Sequence, residues 1–172
     1  MASLLINGNK AIMYRLTATT FNDATWRENV AWRTEHQHAG CIYGNPRQIK
    51  DTIPTGSYIM VLEMHNDENK IKGIGLIKKE PMIDKLRVYK KVGNYNRFIY
   101  KGVQRIDIDD LQGYDRAIVE IFNVLLFKGK SHLKRIQGIS ELPYWILGYK
   151  PFDFVAFFRE LFQRRLAEKT AL

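Results

Sequence analysis

Residues 57–79 read Ser-Tyr-Ile-Met-Val-Leu-Glu-Met-His-Asn-Asp-Glu-Asn-Lys-Ile-Lys-Gly-Ile-Gly-Leu-Ile-Lys-Lys. The run 57–64 is nearly all apolar and of strand length, so it reads as a buried strand. Residues 65–69 are a polar hairpin loop, and 70–79 return as a second strand. Gly73 and Gly75 stand two apart and therefore share one face of that return strand, leaving a shallow trough without side chains. A bulky core ring packed into the trough is its commoner use, and a ligand surface is the other.

Upstream of the hairpin, residues 11–20 are rich in β-formers and read as a first strand. Asn22 or Asp23 can cap a helix over 24–34. Trp26 and Val30 lie one turn apart on it, with Trp32 roughly 120° off their stripe, so one tryptophan faces the core and the other faces something else. Asn45-Pro46 predicts a short helix through Asp51, and Pro54-Thr55-Gly56 a turn.

Downstream, residues 85–91, 96–101 and 103–108 offer further strands around a turn at 92–95. A helix over 114–127 carries Ile118, Ile121, Phe122 and Leu125 at helical spacing and stops at Gly129. A short strand at 135–139 and a helical turn from Ser140 to Trp145 follow. Asp153 heads a final helix to about residue 168 that buries Phe154, Phe157, Phe158, Leu161, Phe162 and Leu166. The order predicts an α+β fold with a mostly antiparallel curled sheet or small β-barrel, flanking helices and a helical C-terminus. The 172 residues suit a single domain, with a β-rich part over 12–110 and a helical part over 111–172 packed on it.

Twenty-seven Lys and Arg against eighteen Asp and Glu give a net charge of +9, which favours polyanions. The distribution sharpens this. From Lys85 to Ile106 there is no acidic residue, while Lys85, Arg87, Lys90, Lys91, Arg97, Lys101 and Arg105 alternate with Tyr89, Tyr95, Phe98 and Tyr100. A second acid-free stretch, 128–140, holds Lys128, Lys130, His132, Lys134 and Arg135. Cations neutralise phosphates and release counterions, and exposed rings stack on unpaired bases. Either stretch alone is an ordinary solvated face; two in one small domain point to RNA or DNA.

Signals for other chemistry are thin. Gly129-Lys130-Ser131 lacks the glycine-rich cradle of a phosphate loop. His36, His38 and Cys41 lie within six residues, but no second His/Cys cluster completes a zinc site. Asp107, Asp109 and Asp110 with Glu63 could hold magnesium for a nuclease, though a solvated strand end and a helix cap explain them as well. No catalytic residue, metal site or cofactor is assigned, which weighs against an enzyme without deciding it. A single cysteine, Cys41, excludes an intramolecular disulfide and makes an intracellular compartment, cytoplasm or nucleus, the expectation. The N-terminal apolar stretch is too short for a signal peptide, and no run approaches a membrane span, so no membrane partner is expected.

Trp26 and Trp32 in the early segment, Gly40-Cys41-Ile42-Tyr43-Gly44, the turn Ile53-Pro54-Thr55-Gly56 and Lys72-Gly73-Ile74-Gly75-Leu76-Ile77 together resemble the PUA-like superfamily, within it the EVE and ASCH groups. The resemblance covers about residues 12–110. It implies a curled β-barrel that binds RNA and accommodates an unpaired or modified base, with Trp26, Trp32 and Tyr43 as pocket rings beside Gly73 and Gly75. The competing expectation is an assembly protein, a homo-oligomer joined through the Phe-rich last helix, whose basic surface condenses nucleic acid or binds an acidic partner.

Overall fold

A computed structural model describes residues 5–7 and 10–171; residues 1–4, 8 and 9, part of the N-terminal stretch considered above, and residue 172 lie outside it. Strands β1 (Leu5–Asn7) and β2 (Lys10–Ile12) pair antiparallel. The main sheet follows, with β3 (Tyr14–Phe21), β5 (Tyr58–His65), β6 (Lys70–Lys78), β8 (Gln104–Asp107) and β9 (Ser140–Glu141) in the order β8-β6-β5-β3-β9. The 57–79 hairpin supplies its two centre-most neighbours, β5 and β6, paired antiparallel from Tyr58–Lys78 to His65–Lys70.

The sheet is mixed rather than purely antiparallel, because β3 and β5 run parallel over their full length. A parallel pair needs a crossover, and helix α1 (Asp23–Glu35) with β4 (Cys41–Asn45) provides it. β4 pairs with β7 (Phe98–Gly102) in a separate two-stranded ribbon. The architecture is α+β, and its sheet does not close into a barrel.

Alternation along β5 divides the interior. Met60, Leu62 and Met64 face one side, where α2 (Gly113–Leu125), α3 (Tyr144–Leu147) and α4 (Phe154–Thr170) pack Val119, Phe122, Phe158 and Leu161 on them. Ile59 and Val61 face the other, against Trp32, Ile42, Tyr43 and Tyr100. One strand thus serves two cores.

Several local expectations are corrected. Residues 85–91 form no strand; the Asn96 side chain accepts from the N–H groups of Val88 and Tyr89 and donates to Tyr89 O, replacing a ladder. No helix opens at Asn45, which ends β4 instead. The strand expected at 135–139 forms at 140–141, and the helical turn starts after Pro143. Leu166 is half exposed, not core. On α1 the buried pair is Asn29 and Trp32, while Val30 is exposed. Asn29 takes the inward stripe because its amide bonds Ile42 O and Tyr89 Oη, a pairing that removes the penalty for burying it.

Candidate nucleic-acid interface

The expected trough is occupied from within. A Cβ at Gly75 would overlap the Tyr43 hydroxyl and stand 2.7 Å from Cys41 Sγ; one at Gly73 would overlap Arg105 Nη2 and stand 2.7 Å from Glu63 Oε2. Both glycines therefore exist to admit a buried polar network. Tyr43 Oη donates to Glu63 Oε1 at 2.8 Å. Arg105 grips Glu63 through Nε and Nη2 (2.6 Å to Oε2) and reaches Asp107 Oδ2 through Nη1 at 3.0 Å. The side chains of Glu63 and Arg105 are 1% and 6% exposed.

This environment shifts its members. Burial lowers the tendency of Arg105 to hold its proton, but the Glu63 charge and hydrogen bonds more than reverse that. Burial would raise the Asp107 carboxyl, yet the Asp109 N–H and Arg105 hold it below its ordinary value. Burial, with the Glu63 charge, pushes the Cys41 thiol up to about 12. Arg105, expected on the phosphate-binding surface, is thus committed to the interior.

Above the network stands Trp26, half buried, with the guanidinium carbons of Arg33 and Arg105 each 5.7 Å from its ring and Lys72 Nζ at 6.0 Å. Trp32 is a buried ring, stacked on His36 at 4.1 Å and edge-on to His38, with Lys101 Nζ 5.7 Å away. Tyr43 lines a distinct pocket that neither tryptophan lines, and Trp32 lines another cleft, so the three expected rings do not share one cavity.

That pocket encloses about 240 Å3 between the C-terminal end of β3, the start of α1 and β4. Tyr43, Tyr89, Tyr95 and Phe21 supply its rings, and Thr19 and Asn66 stand among its polar lining. A Cβ at Gly44 would overlap Tyr95 O and come within 2.7 Å of the Tyr89 ring, so only glycine lets the 89–95 loop close down. Glu28 Oε1 fastens the same loop by accepting from Lys90 N at 3.1 Å and Lys91 N at 3.4 Å.

The second acid-free stretch borders the opposite wall. Thr20 Oγ1 donates to Ile136 O at 3.2 Å and Asn66 Nδ2 to Lys134 O at 2.8 Å, Thr20 and Asn66 both being pocket residues. Gly138 lies against Asn45, next to Gly44. Stretches about forty residues apart in sequence, 85–97 and 132–138, therefore flank one opening. Lys91 and Arg135 are exposed there, Lys90 is exposed at a separate cleft lined by Trp32, His36 and Arg87, and Lys134 Nζ donates to Asn69 Oδ1. Arg87, Arg97, Lys101, Lys128 and Lys130 are exposed elsewhere on the two stretches, with His132 half buried. Acidic groups near the rim have partners: Asp67 accepts from Asp23 N, Asp23 meets His65, and Glu68 pairs with Lys72. No protein-family model, curated protein or solved structure matches this chain.

Other arrangements lead elsewhere. Asp23, His65 and Glu68 bring three donor atoms within 4.8 Å. His65 Nδ1, however, accepts the Glu68 N–H, so in the neutral ring Nε2 carries the proton and donates toward Asp23 rather than offering a lone pair. His36 and His38 direct ring nitrogens to the carbonyls of Trp32, Cys41 and Gly102. Asp107 pairs with Arg105 and caps Asp109 N, and Asp109 lies 3.7 Å from Arg116, so the carboxylates near 107–110 are drawn to separate cations. The Tyr89–Tyr95 pocket is not legible from the expected strands at 85–91 and 96–101, which would turn their alternate side chains to opposite faces. The signal that could have found it was Asn96, a turn residue inside the supposed strand.

Proposed function

We propose that the protein binds RNA or DNA by laying phosphates along the two acid-free stretches while one unpaired base enters the pocket between them. The observation that carries this reading is the convergence of both stretches on a single aromatic pocket. A volume near 240 Å3 is below the roughly 300–1,000 Å3 of sites for drug-sized ligands and suits one ring system. Tyr43, Tyr89 and Phe21 are buried, and Tyr95, part-exposed and edge to face with Tyr89 at 6.1 Å, is the ring whose face can stack on a base without reading its sequence. A base can enter only unpaired or flipped, so single strands are the favoured form. The reading keeps the unpaired-base pocket that the PUA-like resemblance implies but moves it from Trp26 and Trp32 to Tyr43, Tyr89 and Tyr95, on a sheet that does not close into a barrel.

The assembly reading loses its proposed contact, since Phe154, Phe157, Phe158 and Phe162 all lie in the core. The carboxylates of the nuclease reading are engaged by cations, Glu63 and Asp107 by Arg105 and Asp109 by Arg116.

The test is binding of labelled single- and double-stranded RNA and DNA across roughly 50–300 mM salt. Affinity should fall steeply with salt, and charge reversal of Lys90, Lys91, Lys134 and Arg135 should weaken it by at least about tenfold. Absence of binding at the lowest salt, or full binding by the reversed variant, would overturn the proposal.

A further inference from the structure

Helix α2 is apolar over more of its circumference than the core uses. Ile118 and Phe122 are buried, but Ile121 is 43% and Val124 52% exposed. Across from them, Trp145 and Tyr149 are 48% and 52% exposed. Between the two rows lies a groove of about 600 Å3 whose lining includes Ile118, Ile121, Leu125, Trp145, Tyr149 and Phe152. It sits on the helical flank, whereas the Tyr89–Tyr95 pocket opens among β3, α1 and β4. Contiguous apolar surface of this kind marks interaction sites on otherwise well-packed proteins.

Charge at the rim selects the occupant. The acids are engaged: Asp115 with Arg164 at 2.9 Å, Glu120 with Arg116 at 2.9 Å, and Asp153 as the cap of Ala156 N. Two lysines are not. Lys150, between the lining residues Tyr149 and Pro151, and Lys128, just beyond Leu125, are exposed with no acidic partner among the described residues. A second copy would bring lysines against lysines between two chains of +9 each. A lipid surface engages side chains that protrude, and here the apolar residues form a recess.

We infer that this groove docks an amphipathic helical segment of an acidic protein, its apolar residues filling the groove and its carboxylates meeting Lys128 and Lys150. Helix-in-groove recognition of this type uses anchors spaced i, i+3 or i+4, and i+7. The groove and the Tyr89–Tyr95 pocket have separate linings; Lys128, which also opens the second acid-free stretch, is the one residue the two readings share, so Ile121 rather than Lys128 tells them apart.

The experiment uses the full chain and helical peptides of about 18 residues that share Leu and Phe anchors at that spacing but carry Glu, Gln or Lys on their flanks. Fluorescence anisotropy should give micromolar binding of the Glu peptide, at least about tenfold tighter than the Lys peptide. Ile121→Glu should abolish it, with the circular dichroism spectrum and oligonucleotide binding unchanged. The double change Lys128→Glu with Lys150→Glu should turn the preference toward the Lys peptide. Failure of every peptide to bind, or binding indifferent to flank charge, would overturn the inference. So would a dimer seen by light scattering that Ile121→Glu dissolves, or Trp145-dependent binding to anionic vesicles without peptide binding.

Discussion

The pocket between β4 and the start of α1 is closed by tyrosines, threonines and asparagines and flanked by acid-free loops. The groove between α2 and α3 is larger, about 600 against 240 Å3, and is lined by aliphatic and aromatic side chains. Both lie over the same sheet, yet the layers beneath them differ. Under the groove, Phe122, Phe154 and Phe158 form an aromatic cluster with centroids 5.0–5.5 Å apart. Behind the pocket, the buried Tyr43–Glu63–Arg105 network is set into the second core beside Ile42, Val61 and Tyr100. A hydrocarbon core tolerates small repacking, whereas a buried ion pair fixes its neighbours in one arrangement or fails. The polar side therefore fixes the Tyr43 ring of the pocket, and the apolar side supplies adhesive surface.

The sharpest way to break this contrast is to remove one half of the ion pair. Glu63→Ala leaves Arg105 buried without its main partner and should cost about 3–5 kcal/mol in urea unfolding. A loss below about 1 kcal/mol would mean that the network does not organise the pocket side. Next in size is Gly75→Ala, whose new Cβ overlaps the Tyr43 hydroxyl. It should destabilise by about 1–3 kcal/mol, and Gly44→Ala should do the same while displacing Tyr95. A neutral outcome at both sites would show that the trough has room to spare.

A smaller effect separates the two sides by pH. The Cys41 thiol, held near 12 by burial and by Glu63, stays protonated in the fold after an unfolded cysteine ionises from about 8.5. Its contribution is complete below about pH 8.5 and is lost as pH rises toward 12, at up to about 1.4 kcal/mol per unit. Stability measured from pH 8 to 10 should decline, and Cys41→Ala should flatten the decline; an unchanged slope would contradict this account. The smallest effect belongs to the start of α3, where Tyr144→Ser, at a residue 83% exposed, should change stability by less than about 0.5 kcal/mol.

The elements with a clean period were legible in the sequence. The 57–79 hairpin, α1, α2 and α4 all lie close to where spacing and caps predict, and Asn22 and Asp153 cap as expected. What could not be read was long-range. Nothing local in residues 14–21 and 58–65 distinguishes parallel from antiparallel pairing, since the apolar alternation is the same for both. The basic stretches were visible as composition, but their meeting depends on the Thr20 and Asn66 contacts to a distant loop. Arg105 looked like one more surface cation because its partner, Glu63, lies 42 residues away in an apolar strand.

The most direct test of the nucleic-acid interface is amide chemical-shift mapping with a short single-stranded oligonucleotide. The account predicts that Thr19, Asn66, Val92 and Tyr95 shift together with residues 90–91 and 134–136, and that Ile121 and Tyr149 do not. Shifts in only one of the two basic stretches, or shifts gathered on the α2–α3 groove, would contradict it.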